Sequence, residues 1–251
     1  MIAFSADQTA DKTENQPQNR TAAIVNGEQI TMAELSRATQ FRNIMMLAYR
    51  GQLPQKFGQF LLTSDAGRKF LTAYRKSVLE DLIEEELQVQ KAEEMGIEIS
   101  EEKLAEALDK RVEQRIQRII SQSKQFKDTS DLDKYLKENQ DMTLDEYRQE
   151  YRKQLNKESI SQNMMIDKLK NEVVGEVNIT DEEIQDFYEK NKQSFVDKDG
   201  NTKPLSEVRD SIKQSLQRQK ETQKWNDWIQ KVKEDSEIER KLEENKQSLT
   251  Q

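Results

Sequence analysis

Val78–Leu108 reads VLEDLIEEELQVQKAEEMGIEISEEKLAEAL, a long amphipathic helix, a tight stop and the opening of a second helix. Leu79, Leu82, Ile83 and Leu87 recur at steps of three and four residues, so they share one face of a 3.6-residue period. Val89 and Ala92 extend the stripe. Gly96 stands where a helix stop needs positive φ, which costs glycine little. Ile97 and Ile99 form a short apolar connector. Ser100 is a good N-cap, and Glu101 and Glu102 follow it into the positive end of the next helix dipole. No catalytic motif lies in this stretch; its signal is architectural.

Working outward, the chain has 251 residues, of which 33% are hydrophobic and 35% charged. So few apolar side chains argue against one thick core and for an elongated assembly of helices with thin cores. Only 7 glycines and 3 prolines interrupt it, which also favours long helices. The predicted class is mainly α, an elongated multi-helix domain with one small N-terminal β-hairpin that a C-terminal strand can join.

The formal net charge is −8. It is concentrated in Val78–Leu108, where eleven acids face only Lys91 and Lys103. An acidic chain is a poor nucleic-acid binder, since such binding runs on phosphate neutralisation, so no nucleic-acid partner is expected. One basic segment, Lys110, Arg111, Arg115, Arg118, Lys124 and Lys127, reads as a solvated helix face. There is no cysteine and no histidine. That excludes thiol chemistry, Cys/His zinc sites and imidazole bases, and no cofactor or metal is expected. The longest apolar run, Ile44–Tyr49, has six residues, far short of the about 20 needed to span a bilayer.

Residues 1–20 are polar and read as a disordered leader. Ala23-Ile24-Val25, Asn26-Gly27 and Glu28-Gln29-Ile30 spell a hairpin with a type I′ turn. Two strands alone are marginal, and the piece around Ile238 is predicted to supply a third. Thr31 and Glu34 form a capping box opening one helix through Leu35, Ala38, Phe41, Ile44, Met45 and Ala48, until Gly51 and Pro54 break it. Phe57, Phe60, Leu61 and Leu62 follow in a glycine-containing context, then the long helix from about Ala66 to Met95. Beyond Ser100 the predicted helices run over 101–121, from a cap at Ser130-Asp131, from a capping box at Thr143/Glu146 through Leu169 to an end at Val173-Val174-Gly175, and from a third box at Thr180/Glu183. Ser194–Lys203 is a loop with a turn at Asp199-Gly200. Pro204 suits the first helical position of a last long helix ending near Val232. Residues 241–251 read as a polar tail.

This order of elements resembles the SurA-type chaperone domain of extracytoplasmic folding factors, a family related in architecture to PrsA and to the substrate-binding part of trigger factor. The matching pieces are VNGEQITMAEL, LEDLIEEELQVQKAEEMGIEISEEKLAEAL, MTLDEYRQEYRKQL, VNITDEEIQDFYEKNKQSF and PLSEVRDSIKQSLQRQKETQKWNDWIQKVKEDSEIE, together about residues 21–240. The resemblance implies a core lobe of residues 21–100 with 205–240 and a helical arm of residues 101–195. Family members typically insert a parvulin prolyl-isomerase domain, on the order of 100 residues, between the last two of these helices. Here only the loop 196–204 stands there, and the histidines typical of parvulin sites are missing. The expectation is therefore a non-enzymatic, ATP-independent holdase without isomerase activity, located in the periplasm or at the bacterial cell surface. Its partners would be unfolded or nascent exported proteins. A scaffold that binds one defined protein partner is the alternative. A tether through a removed N-terminal segment and a homodimer are both left open.

The paired carboxylates Glu84/Glu85/Glu86, Glu93/Glu94 and Asp181/Glu182/Glu183 sit on helix surfaces or first turns, not converging across a pocket as a hydrolase requires. Asp197–Asn201 lacks the spacing and terminal glutamate of an EF-hand. For peptide contact the candidates are Phe41, Met45, Met46, Tyr49, Phe57, Phe60, Leu61, Met164 and Met165. Flexible thioethers adapt to varied apolar partners. Each buried apolar side chain contributes roughly 1.5–3 kcal/mol, and a few such contacts less ordering costs give affinities on the order of micromolar. The acids near residues 80–94 are expected to repel acidic clients.

Overall fold

A computed structural model of the chain describes residues 20–198 and 200–242. The predicted leader, the polar tail beyond Leu242, and Asp199 lie outside the described residues. The class is as the periodicity indicates, mainly helical with a small antiparallel sheet. The chain divides into two compact units, residues 1–88 with 177–251, and residues 89–176.

In the first unit, β1 (Thr21–Val25) and β2 (Glu28–Thr31) form the hairpin. Asn26 and Gly27 have φ of 50° and 94°, the left-handed pair that a type I′ turn demands. Thr31 and Glu34 make the capping box at the start of α1 (Met32–Thr39). The single helix predicted from there to Ala48 is broken: Gln40 takes φ 48°, and α2 (Phe41–Tyr49) starts afresh. The apolar period is continuous across the break, so it carries no sign of it. Pro54 then caps α3 (Gln55–Thr63), a helix where only an apolar cluster is expected from sequence.

The long α4 (Asp65–Glu94) follows. In the second unit, Gly96 has φ 67°. The Ile97 N–H donates to the Ala92 carbonyl (2.9 Å) and the Gly96 N–H to the Glu93 carbonyl (2.9 Å), the double bond of a Schellman stop. Ser100 caps α5 (Glu101–Gln122). Asp128, not Ser130-Asp131, caps α6 (Thr129–Gln140), accepting from the Ser130 and Asp131 N–H groups. The capping box of Thr143 and Glu146 opens α7 (Leu144–Gln154). The one helix predicted from here to an end at Val173-Val174-Gly175 is interrupted, because Asn156 recaps the chain as α8 (Lys157–Val174), which ends at Gly175 as expected. Val112, Ile116, Leu132, Leu136 and Leu144 form this unit's core.

Back in the first unit, α9 (Asp181–Lys190) has the third capping box, and α10 (Leu205–Glu234) starts one residue after Pro204. β3 (Ile238–Arg240) pairs antiparallel with β1, so the sheet order is β2-β1-β3. Asn26 ties the return: its N–H donates to the Glu237 carbonyl, and its side-chain oxygen accepts from the Glu237 N–H, each at 2.8 Å. Under the sheet, Ala23, Val25, Leu35, Leu79, Ile83, Leu87, Ile229 and Val232 make one core. A second core joins Ile184 and Tyr188 to Val208 and Ile212.

Candidate functional site

The candidate contacts are apolar side chains, so their geometry turns on which of them water can reach. Among the described residues seven large hydrophobics are exposed: Met95 and Val196 stand singly elsewhere, and the other five are Met46, Leu47, Tyr49 at 72%, Phe57 and Phe70 at 51%. All five lie on the consecutive helices α2, α3 and the first turns of α4. That placement has a local cause. α2 is almost wholly apolar, FRNIMMLAY, while α1 and α3 beside it are short. A short helix pair cannot cover an all-round apolar neighbour, and part of α2 stays in solvent.

Two glycines lie within this set of helices, and only one of them is required by close packing. A Cβ on Gly58 would sit 3.8 Å from the Ala48 carbonyl and 3.9 Å from the Leu53 Cβ, ordinary contacts between α2 and α3. A Cβ on Gly67 would stand 2.8 Å from the Phe60 carbonyl carbon, so α3 and α4 touch backbone to backbone there. Ser64 serves the same corner: its hydroxyl donates to the Phe60 carbonyl (2.7 Å) and accepts from the Gly67 N–H (2.9 Å). The Tyr74 hydroxyl donates to the Thr39 carbonyl at 3.2 Å, fastening α4 to the end of α1. Burial pushes the Arg75 guanidinium below its ordinary pKa.

The candidate residues fall in different places. Met46, Tyr49 and Phe57 are on the exposed side; Met45 and Phe60 are half-buried; Leu61, at 1% exposure, lies beneath. Phe57 and Phe60 stack with centroids 6.3 Å apart. The Phe41 side chain lies outside the described residues. Met164 and Met165 are half-buried on α8, in the second unit. Leu47 and Phe70 join the exposed set without having been singled out from sequence. The signal was available for Leu47, which falls off the helical stripe of its neighbours.

Two acids of α4 are paired with cations from the end of the chain. Arg240 holds Glu80 with two bonds, 2.6 and 2.7 Å, and Lys233 holds Glu84 at 2.6 Å. Arg240 keeps the Glu80 carboxyl below its usual range, against the opposing effect of partial burial. Trp225 and Trp228 of α10 stack at 4.9 Å.

In the second unit, a polar groove of about 410 Å³ is lined by residues including Ser130, Asp133, Lys137, Thr143, Asp145 and Arg148. Its charges are answered from within, Lys137 by Asp133 at 2.7 Å and Arg148 by Asp145 at 2.8 Å and Glu113 at 2.7 Å. Asp133 also accepts from the Leu144 N–H at 2.8 Å, filling the start of α7.

The fold is a mainly helical frame with a small antiparallel sheet led by the N-terminal hairpin. The family model for the SurA-like N-terminal domain matches residues 1–169, and the chain belongs to that family. A second family model, the PPIC-type PPIASE domain, matches residues 179–250. The chain is 26% identical over 208 residues to the foldase protein PrsA of Clostridium botulinum strain Okra, covering 83% of this chain and 55% of that protein. It is 25% identical over 189 residues to the foldase protein PrsA of Clostridium perfringens, covering 75% of this chain and 48% of that protein. The chain thus spans about half the length of the curated relatives it matches.

The PPIC-type match corrects the expectation that the prolyl-isomerase segment is absent, and with it the expectation that the chain is no enzyme. Those expectations rested on the short loop 196–204 and on the missing histidines. The match instead takes in α9, the loop, α10 and β3 themselves, which a search for a separate inserted domain passes over. Within it, Tyr188 donates through its hydroxyl to the Lys203 carbonyl at 2.7 Å and stacks on Phe195 at 5.7 Å, so the loop is pinned to α9.

Proposed function

We propose that the chain is the client-binding part of a PrsA-like foldase, an ATP-independent chaperone for unfolded or nascent exported polypeptides outside the cytoplasm. The observation that carries this reading is the row of exposed apolar side chains on α2, α3 and α4: Met46, Leu47, Tyr49, Phe57 and Phe70. Apolar side chains exposed together on consecutive helices are the kind of surface that a binding partner covers. Met45 and Phe60 flex beneath it, Leu61 supports it, and Phe41 belongs to the same helices. Met164 and Met165 are a second adaptable contact in the arm. Residues 21–100 with 205–240 act as the core lobe in this reading, and 101–195 as the arm.

The family match over residues 179–250 supports prolyl isomerisation as a second activity of the same protein. The barrier of an Xaa-Pro bond falls when its amide loses resonance. The chain has no histidine, so any such centre here works by burying the prolyl amide and hydrogen-bonding it with other groups.

Light scattering of a denatured client tests the first activity. The intact chain is expected to suppress aggregation without nucleotide, and a Tyr49→Ser/Phe57→Ser/Phe70→Ser variant to lose most of that protection. Equal protection by the variant would remove the apolar row from the mechanism. A cis/trans assay on a short Xaa-Pro peptide tests the second, with acceleration over the spontaneous rate expected; an unchanged rate at high protein concentration would discard it.

A further inference from the structure

The exposed apolar row sits in a segment whose charge is opposite to that of the chain as a whole. Between Leu35 and Leu79 there are eight arginines and lysines and one acid, Asp65. The acid is spent locally, paired with Arg68. Arg42, Arg50, Lys56 and Lys69 are exposed. No ion pair holds any of the four among the described residues. Arg42 and Arg50 lie at the two ends of α2, Lys56 is next to Phe57, and Lys69 is next to Phe70. Each of the four cations thus lies within a few residues of an exposed apolar side chain along these helices. The chain's abundant carboxylates lie elsewhere. Of those that follow along α4, Glu80 and Glu84 are engaged by Arg240 and Lys233, while Asp81 is exposed.

An apolar centre with a rim of one sign is selective in a definite way. The apolar side chains accept any greasy segment. The rim favours segments whose flanking charges are of the other sign and disfavours like charge. We infer that this surface selects client segments in which aromatic or aliphatic residues are flanked by aspartate and glutamate. This rests on the client-binding reading above and reverses the expectation, drawn from the acids near residues 80–94, that acidic clients are repelled. An apolar cationic face could also meet an anionic bilayer, but α2 and α3 have only nine residues each. The exposed side chains come from three separate helices rather than from the one amphipathic face with which an interfacial helix lies in a membrane. The peptide is therefore the favoured occupant.

The test uses the whole chain and three fluorescent peptides sharing one Phe/Leu-rich centre, flanked by Glu, Ser or Lys. At low salt the Glu-flanked peptide is expected to bind about tenfold more tightly than the Ser-flanked one, from several exposed pairs each of modest strength. The Lys-flanked peptide should be the weakest. The ratio of Glu-flanked to Ser-flanked affinity should fall toward one at 0.5 M salt, about a 4 Å screening length, and in Arg42→Gln/Arg50→Gln/Lys56→Gln/Lys69→Gln. Salt acts on the unaltered protein, so the result does not depend on the variant's folding. Binding of all three peptides with equal affinity overturns the inference while leaving the chaperone reading intact. Binding of none, with no suppression of aggregation, overturns the chaperone reading itself. Tight binding to phosphatidylglycerol vesicles with no discrimination among the peptides overturns the inference in favour of a membrane.

Discussion

The two ends of α4 behave as different proteins would. Over its first three turns the helix carries Arg68, Lys69, Arg75 and Lys76, leaves Phe70 half exposed, and meets α3 backbone to backbone at Gly67. From Val78 on it is acidic, Leu79, Ile83 and Leu87 are sealed under the sheet, and Glu80 and Glu84 meet Arg240 and Lys233 from the far end of the chain. One half stabilises the fold; the other displays apolar surface. The same residue types, Leu, Phe and charged side chains, serve both. What differs is whether a second layer covers them.

That contrast is sharpest in truncation experiments. Ile83 is 0% exposed in the sheet-side core, so Ile83→Ala should cost about 2–5 kcal/mol of stability in denaturant melts. Tyr49→Ser/Phe70→Ser, on the other half, should move stability by only about 0.5 kcal/mol per residue while weakening client binding. A comparable loss from both would mean that the exposed row is part of the core.

Next in size comes the glycine pair. Gly67→Ala forces a Cβ against the Phe60 carbonyl and should cost about 1–3 kcal/mol. Gly58→Ala meets only ordinary contacts inside a helix and should be neutral or stabilising by about 0.5–1 kcal/mol. Thermal melts that rank the two the other way would show that α3 and α4 do not meet at Gly67.

The smallest effect concerns charge. The Glu80 carboxyl is held below its usual range by Arg240. A depressed carboxylate contributes stability that is complete above the unfolded glutamate value, about 4.3, and is lost as pH falls through the folded one. Glu80→Gln should therefore be less stable than the unaltered chain at pH 7 by under about 1 kcal/mol, since the pair is partly solvated. The difference should close below pH 4. A gap that persists at pH 3 would assign the effect to packing instead.

Much of the frame was legible along the chain because its signals are local. Asn26-Gly27 dictates positive φ, Thr31/Glu34, Thr143/Glu146 and Thr180/Glu183 each satisfy orphan N–H groups within four residues, and Gly96 ends α4 by its own backbone freedom. The interruptions at Gln40 and at Leu155-Asn156 were not legible, because the apolar stripe runs through both while the backbone turns. The isomerase-type segment was missed for a related reason: α9 and α10 read as ordinary capped amphipathic helices.

The amphipathic period, the caps and the placing of charge in blocks are properties of neighbours in sequence, and the chain alone determined the helical class, the hairpin and the third strand at Ile238. Which apolar residues are covered depends on what lies across from them. Leu61 and Phe57 are four residues apart on one helix, yet one is sealed and the other is in water. Only tertiary structure decided that, and it also brought Arg240 and Lys233 onto Glu80 and Glu84, leaving the cationic helices α2 and α3 as the open surface. Burial and ion pairing are set by contacts between segments distant in the chain, which no local pattern encodes.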